Sequence, residues 1–131
     1  MLRVFRKKGR VLLLDDDVSI QRLVGMLLRR HGLRVDVVGK GSDAIDAIGK
    51  EQYDALLLDL MMPHEGGMTV IRHLRDVGSP MLSRVIVLTA TPGSVLKTIE
   101  KDVAAIVHKP FEADDLLATI DRVMSDPQPS A

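Results

Sequence analysis

The chain has 131 residues, of which 46% are hydrophobic and 27% charged, and this balance is typical of one globular domain with its own core. Equal numbers of basic and acidic residues, 18 of each, argue against a general polyanion binder, because affinity for phosphate backbones comes from excess positive charge. The absence of cysteine excludes disulfides, a Cys-based zinc site and a thiol nucleophile, and it fits a reducing, cytoplasmic location.

The two ends of the sequence differ from the rest in composition. The first ten residues are basic, and no apolar segment of membrane-spanning length follows them, so we predict neither a signal peptide nor a transmembrane helix. We expect residues 1–9 to form a solvated basic leader, residues 10–125 to form the domain, and residues 126–131 to form a disordered tail.

Short apolar runs alternate with segments of helical spacing along the whole chain. Strands are predicted at 11–14, 33–38, 55–58, 84–88 and 103–107. Helices are predicted where apolar residues recur three or four apart, around 20–28, 44–48, 70–74, 95–99 and 116–123. Gly32 and Gly78 supply helix ends, and Pro92-Gly93 delays the fourth helix and makes it short. Apolar strands separated by helices predict a parallel sheet that is covered on both faces.

Polar residues follow the predicted strands at the points where the strands end. In chain order they are Asp15, Asp16 and Asp17 after the first strand, Asp59 after the third, Thr89 after the fourth and Lys109 after the fifth. The carboxyl ends of parallel strands meet at the crevice where ligands bind, so we expect these side chains to converge. Clustered carboxylates need a cation or a shared proton, and hard oxygen ligands suit Mg²⁺. A carboxylate can accept a phosphoryl group while a hydroxyl and an ammonium neutralise its oxygens, so the pattern predicts Mg²⁺ and phosphate chemistry.

Four ordered motifs carry a resemblance to a known family. They are Leu14–Asp17, Leu58–Pro63 with Gly67 beyond it, Leu88–Ala90, and Lys109–Phe111. Together they resemble the receiver domain of two-component response regulators, over Arg10 to about Ser125. The resemblance implies an α/β, flavodoxin-like, doubly wound domain with five parallel strands in the order 2-1-3-4-5 and five helices.

The resemblance also implies a metal site. Asp16 and Asp59 would bind Mg²⁺ directly together with the backbone carbonyl of Met61, and Asp15 would act mainly through water. In the same interpretation Asp17 is a helix N-cap rather than a ligand.

The function implied by the resemblance is phosphoryl acceptance on Asp59 from the phosphohistidine of a sensor histidine kinase or a histidine phosphotransfer protein. Thr89 would donate its hydroxyl to a phosphoryl oxygen, Lys109 would pair with another, and the Lys109-Pro110 bond is a candidate for the cis form. Such a domain catalyses its own phosphorylation and dephosphorylation but is not otherwise an enzyme. Its expected partners are the phosphodonor and an unidentified downstream protein, with no direct nucleic-acid or membrane binding, as a monomer or weak homodimer.

Some positions depart from the family pattern. Many receivers have Tyr or Phe three residues before the motif lysine, and Ile106 at that position has no phenol to signal burial. Met61 and Thr91 occupy two positions that tune hydrolysis of the acyl phosphate in this family. Because Met61 has no side-chain amide or carboxylate to orient water, we expect a phosphorylated state that lives longer than in the fastest receivers.

Two alternatives stay open from the sequence. A haloacid-dehalogenase-like phosphatase would use Asp15 as nucleophile in the Asp15–Asp17 pattern, with Thr89 and Lys109 in support, but it leaves Asp59 without a role. A non-switching receiver scaffold would keep the fold, and Ile106 favours that alternative while the intact set of acids argues against it.

Overall fold

The computed structural model describes residues 9–63, 65–90 and 92–126. These residues form a parallel sheet of five strands with helices packed on it. Its strands are β1 Arg10–Leu14, β2 Arg34–Val38, β3 Ala55–Asp59, β4 Val85–Thr89 and β5 Ala105–His108. The strands lie in the order β2-β1-β3-β4-β5, which confirms the predicted topology. β3 and β4 extend one residue beyond the predicted runs, so that Asp59 and Thr89 are the last residues of their strands.

Helices follow the strands on both faces of the sheet. They are α1 Val18–Arg30, α2 Gly41–Lys50, α3 Gly67–Asp76, α4 Gly93–Leu96 and α5 Ala113–Ser125. α4 has only four residues, as the Pro92-Gly93 pair predicted. The prediction missed one element, a 3₁₀ helix at Pro80–Arg84 that precedes β4.

The core has two layers, one on each face of the sheet. Side chains alternate along a strand, so Leu12 and Leu14 pack with the α2 and α3 layer, whereas Leu13 packs with α1 and α5. The buried helical residues of the first layer include Ala44, Val70, Ile71 and Leu74, and those of the second include Val24, Leu28, Leu116 and Ile120. Burial on both faces explains why the central strands are apolar throughout.

Several element ends have the predicted chemistry. Gly32 and Gly78 adopt positive φ angles of 88° and 64° just after α1 and α3, a conformation that favours glycine. Asp17 caps α1, because its Oδ1 accepts hydrogen bonds from the backbone N–H groups of Ser19 at 2.8 Å and Ile20 at 3.4 Å.

A polar network lies at the other end of the sheet, where β1 and β2 begin. Arg10 forms ion pairs of 2.8 Å with both Asp36 and Glu51, and its guanidinium lies 5.4 Å from the centre of the Tyr53 ring. The Tyr53 hydroxyl donates to Asp36 Oδ2 at 2.7 Å. Burial opposes ionisation of Asp36, but the hydrogen bonds from Tyr53 and Arg10 outweigh it and lower the pKa of Asp36. This network fixes the amino ends of the strands whose carboxyl ends form the site.

The predicted leader and tail lie mostly outside the described residues, in 1–8 and 127–131. None of the helices described combines the length and apolar character needed to cross a bilayer.

Candidate functional site

The site begins with the register between the two strands that deliver its acids. β1 and β3 are neighbours, and Leu14 lies opposite Leu58, so Asp15 and Asp59 leave the sheet side by side. Oxygen atoms of Asp15, Asp16 and Asp59 all lie within 4.8 Å of one another. Asp15 and Asp59 are buried and Asp16 is exposed. The structure therefore brings together the three carboxylates that the sequence placed at two separate strand ends.

Asp15 is the most firmly held of the three acids. Its Oδ1 accepts a hydrogen bond from the backbone N–H of Asp17 at 2.9 Å, and its Oδ2 accepts one from Lys109 Nζ at 3.1 Å. Its own N–H donates to the carbonyl of Val38 on β2 at 3.2 Å. Asp15 thus joins β1, β2 and the residue that follows β5.

Asp59 is buried with fewer partners. Its Oδ1 accepts a long hydrogen bond of 3.4 Å from the Met61 backbone N–H, and its Oδ2 lies 3.8 Å from Lys109 Nζ. Burial raises the pKa of Asp59 to about 6; Lys109 and the Met61 N–H oppose the rise, and the charges of Asp15 and Asp16 add to it. Because the negative charge of Asp59 is only partly balanced by Lys109 and the Met61 N–H, the carboxylate favours binding of a cation.

Lys109 supplies the positive charge of the site. It follows β5 directly, and its ammonium lies between Asp15 and Asp59, closer to Asp15. Its backbone N–H donates to the carbonyl of Thr89 at 2.9 Å, and the Lys109-Pro110 peptide bond is cis, as expected. The backbone that follows β5 is therefore tied to the end of β4.

Thr89 ends β4 at the same edge of the sheet. Leu88 lies opposite Asp59 in the register, so Thr89 is one residue further toward the crevice on the neighbouring strand. Thr89 is fully buried. It pairs in register with His108, and this places it between the strand of Asp59 and the strand that leads to Lys109.

Residues 60–63, 65 and 66 lie between β3 and α3, beside the site. Gly67 is required where α3 begins, because a Cβ there would lie 2.7 Å from the carbonyl oxygen of Asp59. Met61 is 62% exposed, so its side chain does not cover the acids with packed apolar surface. Beside these residues lies a cavity of about 540 Å³, which is lined by Asp16, Gly39, Lys40, Ser42, Met62, Pro63 and Glu65. Glu65, Ser42 and Lys40 are residues near the site that sequence reasoning missed.

Ile106, the residue that departs from the family pattern, lies within β5 and is partly buried. It packs against the core layer that contains Leu96, Ile99 and Val103. Thr91, the second position expected to tune phosphoryl lifetime, lies outside the described residues.

The chain is thus a doubly wound α/β domain with an acidic pocket at the carboxyl edge of its sheet. The family model of the response regulator receiver domain matches residues 11–121, and the chain belongs to that family.

The chain is also similar to proteins named as transcriptional or response regulators. The transcriptional regulatory protein DltR of Streptococcus agalactiae is 36% identical over 113 residues, which are 85% of this chain and 50% of DltR. The DNA-binding response regulator MtrA of Mycolicibacterium smegmatis is 36% identical over 116 residues, which are 86% of this chain and 49% of MtrA. The chain therefore spans about half the length of these relatives.

Solved structures are similar over nearly their whole length. The receiver domain of sensor histidine kinase PA1611 from Pseudomonas aeruginosa, which has a magnesium ion coordinated in its active site cleft, gives a TM-score of 0.81 at 25% identity, covering 92% of this chain and 100% of that one. The response regulator protein TrrA from Thermotoga maritima, in complex with Mg²⁺-BeF, gives a TM-score of 0.78 at 25% identity, covering 88% and 98%.

Proposed function

We propose that this receiver domain accepts a phosphoryl group on Asp59 from the phosphohistidine of a sensor histidine kinase or a histidine phosphotransfer protein. The observation that carries the proposal is the placement of Asp59, which is buried within 4.8 Å of two other carboxylates and 3.8 Å from an ammonium. Of the three carboxylates in this cluster, Asp59 is the one that is the last residue of a strand.

In the proposed reaction a carboxylate oxygen of Asp59 attacks the phosphorus atom. The new P–O bond forms as the P–N bond to the donor imidazole breaks, and the imidazole leaves with the electron pair of that bond. Lys109 offsets negative charge on the transferring oxygens, and Thr89 donates its hydroxyl to one of them after transfer.

The donor set fits a divalent cation. Three carboxylates share one ammonium, which leaves an excess of negative charge on hard oxygen ligands of the kind that Mg²⁺ prefers. Asp16, Asp59 and the backbone carbonyl of Met61 would hold the ion directly, and Asp15, whose oxygens are already engaged, would act through water. When bound, Mg²⁺ neutralises charge on the transferring phosphoryl group.

Phosphorylation is proposed to switch the surface that a partner protein contacts. A phosphoryl group adds negative charge and acceptor oxygens next to Thr89, and this shifts a pre-existing equilibrium between two conformations. Ile106 would change rotamer without a phenol to expose or bury. We expect the domain to be a cytoplasmic monomer or weak homodimer that does not itself bind nucleic acid; the DNA-binding function named for MtrA belongs to a protein about twice as long.

The two alternatives are less well supported. The family match does not favour a haloacid-dehalogenase-like phosphatase, and the Asp15 carboxylate, which accepts hydrogen bonds from Asp17 and Lys109, is poorly disposed for nucleophilic attack. A non-switching scaffold has no need of an ammonium beside two buried acids, so the position of Lys109 next to Asp15 and Asp59 argues against that alternative.

The test is transfer of labelled phosphoryl group from candidate kinases to the wild-type domain and to Asp59→Asn, with and without Mg²⁺. Asp17→Asn is the matched control, because it makes the same change two residues from Asp15 while asparagine still caps α1. We expect labelling of the wild type and the control only with Mg²⁺, and none of Asp59→Asn. Labelling that survives in Asp59→Asn would contradict the proposal.

A further inference from the structure

The amino end of α2 is capped by a residue from another loop. The first N–H groups of a helix have no partner within it, and within the described part of the chain the N-cap residue Lys40 makes no side-chain capping bond. Glu65 instead accepts hydrogen bonds from the first two N–H groups of α2. Its backbone carbonyl accepts from the Gly41 N–H at 2.8 Å, and its Oε2 accepts from the Ser42 N–H at 3.1 Å. We call these two hydrogen bonds the Glu65 clasp.

The backbones at Gly41 and Glu65 are closely packed against each other. A Cβ at Gly41 would lie 3.2 Å from Glu65 Cβ, from the Glu65 carbonyl oxygen and from the Gly66 carbonyl oxygen. These distances are shorter than ordinary van der Waals contact, so a side chain at position 41 would press the two backbones apart. The negative carboxylate of Glu65 also lies at the positive end of the α2 helix dipole.

Glu65 lies in the same short segment as Met61, whose carbonyl is a proposed metal ligand. Gly66 lies close to the residues on either side of Met61, because a Cβ at Gly66 would lie 3.0 Å from the Leu60 carbonyl oxygen and 3.1 Å from Met62 Cβ. One end of the segment is thus fixed by Asp59 on β3 and the other by the Glu65 clasp on α2. Movement at Glu65 would be passed to the residues that flank the Met61 carbonyl.

The Glu65 clasp and the acidic site line the same cavity. Asp16 lines one part of it, and Lys40, Ser42 and Glu65 line another. The clasp therefore stands next to the proposed metal ligands without contributing a ligand of its own.

We infer that Glu65 is a positioning residue, which holds the β3–α3 segment so that the Met61 carbonyl faces the metal site. This inference rests on the proposed function for the identity of the site. Coupling of this kind is reciprocal, so metal binding strengthens the clasp and protects the first turn of α2, a helix that offers no proposed ligand.

The test compares Glu65→Ala and Glu65→Gln with the wild type, and Glu100→Ala is the control because it removes an exposed carboxylate elsewhere on the surface. The Mg²⁺ dissociation constant is measured by titration calorimetry, and hydrogen exchange of the Ser42 amide is measured by NMR with and without Mg²⁺. We expect Glu65→Ala to weaken Mg²⁺ binding by about three- to tenfold, because the coupling to the metal cannot exceed the free energy of the one capping hydrogen bond that the variant loses. Glu65→Gln, which keeps an acceptor oxygen but loses the charge, should recover most of the affinity.

The exchange measurement separates positioning from a structural role. In the wild type and the control, Mg²⁺ should slow exchange of the Ser42 amide, and in Glu65→Ala this slowing should be lost. Mg²⁺ affinity that stays at the wild-type value in Glu65→Ala, or wild-type Ser42 exchange that Mg²⁺ does not slow, would overturn the inference and leave Glu65 as a helix cap. Equal loss of affinity in both Glu65 variants would also overturn it, because charge alone would then explain the effect. Failure of the proposed site gives a different result: wild-type Mg²⁺ binding would be absent or unchanged by Asp59→Asn.

Discussion

Replacing Asp59 by asparagine is expected to stabilise the metal-free domain at neutral pH, although it removes the proposed phosphoacceptor. Burial raises the pKa of Asp59 from its ordinary value of 3.8 to about 6. A carboxyl whose folded pKa exceeds its unfolded pKa favours folding while it is protonated, and it loses that advantage as the pH rises from about 4 to about 6. Each pKa unit corresponds to about 1.4 kcal/mol, which sets an upper limit of about 3 kcal/mol. Because solvent reaches the site beside the exposed Asp16, we expect ionised Asp59 to destabilise the fold by about 1–2 kcal/mol above pH 6.

Asparagine removes the charge and keeps an oxygen that can accept the Met61 N–H. In a chelator at pH 7.5, the free energy of unfolding of Asp59→Asn should exceed that of the wild type by about 1–2 kcal/mol. Urea denaturation followed by circular dichroism measures the difference, which should shrink toward zero as the pH falls to about 4. Asp17→Asn, at an exposed cap that asparagine also serves, should stay within about 0.5 kcal/mol of the wild type. An Asp59→Asn variant that is less stable than the wild type in chelator at pH 7.5 would show that the buried charge of Asp59 does not destabilise the fold.

Three further predictions address other parts of the molecule. Lys109→Ala should slow phosphoryl transfer from acetyl phosphate by about 10²-fold, the usual loss when a group that neutralises transferring oxygens is removed, and a stopped-flow rate near that of the wild type would contradict this. The wild-type aspartyl phosphate should outlast seconds in Mg²⁺ buffer, and Met61→Asn should shorten its life by supplying an amide to orient water; phosphate release measures both, and a wild-type lifetime of seconds would oppose the idea. Tyr53→Phe should lower the free energy of unfolding by about 1 kcal/mol at pH 7, because it removes the hydrogen bond to Asp36. The pKa of Asp36 is lowered in the folded state, so its contribution is present above its ordinary pKa of 3.8 and is lost as the pH falls below that value; an equal effect of Tyr53→Phe when Asp36 is protonated would argue against the assignment.

The fold could be predicted from the sequence because its strands are buried on both faces. Runs such as Leu12–Leu14 and Leu56–Leu58 are apolar throughout, and the polar residue that ends each run marks the carboxyl edge of the sheet. The 3₁₀ helix at Pro80–Arg84 was missed although Ser79 before Pro80 is a local helix-start signal. Arg84 was assigned to β4, but its buried side chain donates instead to the backbone carbonyls of Val123 and Asp126, a contact that no local pattern indicates.

The membership of the acidic site could be predicted, but its internal contacts could not. Asp15, Asp59 and Lys109 were placed together because each follows a parallel strand. The closer approach of Lys109 to Asp15 than to Asp59 depends on how the chain leaves β5, which sequence spacing does not determine. The Glu65 clasp joins residues 23 positions apart across two loops, so neither helix propensity nor a capping motif at Lys40 could reveal it.

Site mapping by mass spectrometry shows directly whether Asp59 is the phosphoacceptor. The wild-type domain is treated with acetyl phosphate and Mg²⁺, digested, and each peptide is examined for an added phosphoryl group. We expect a single modification, on Asp59, which disappears when Mg²⁺ is chelated. Modification of Asp15 in place of Asp59 would contradict this expectation.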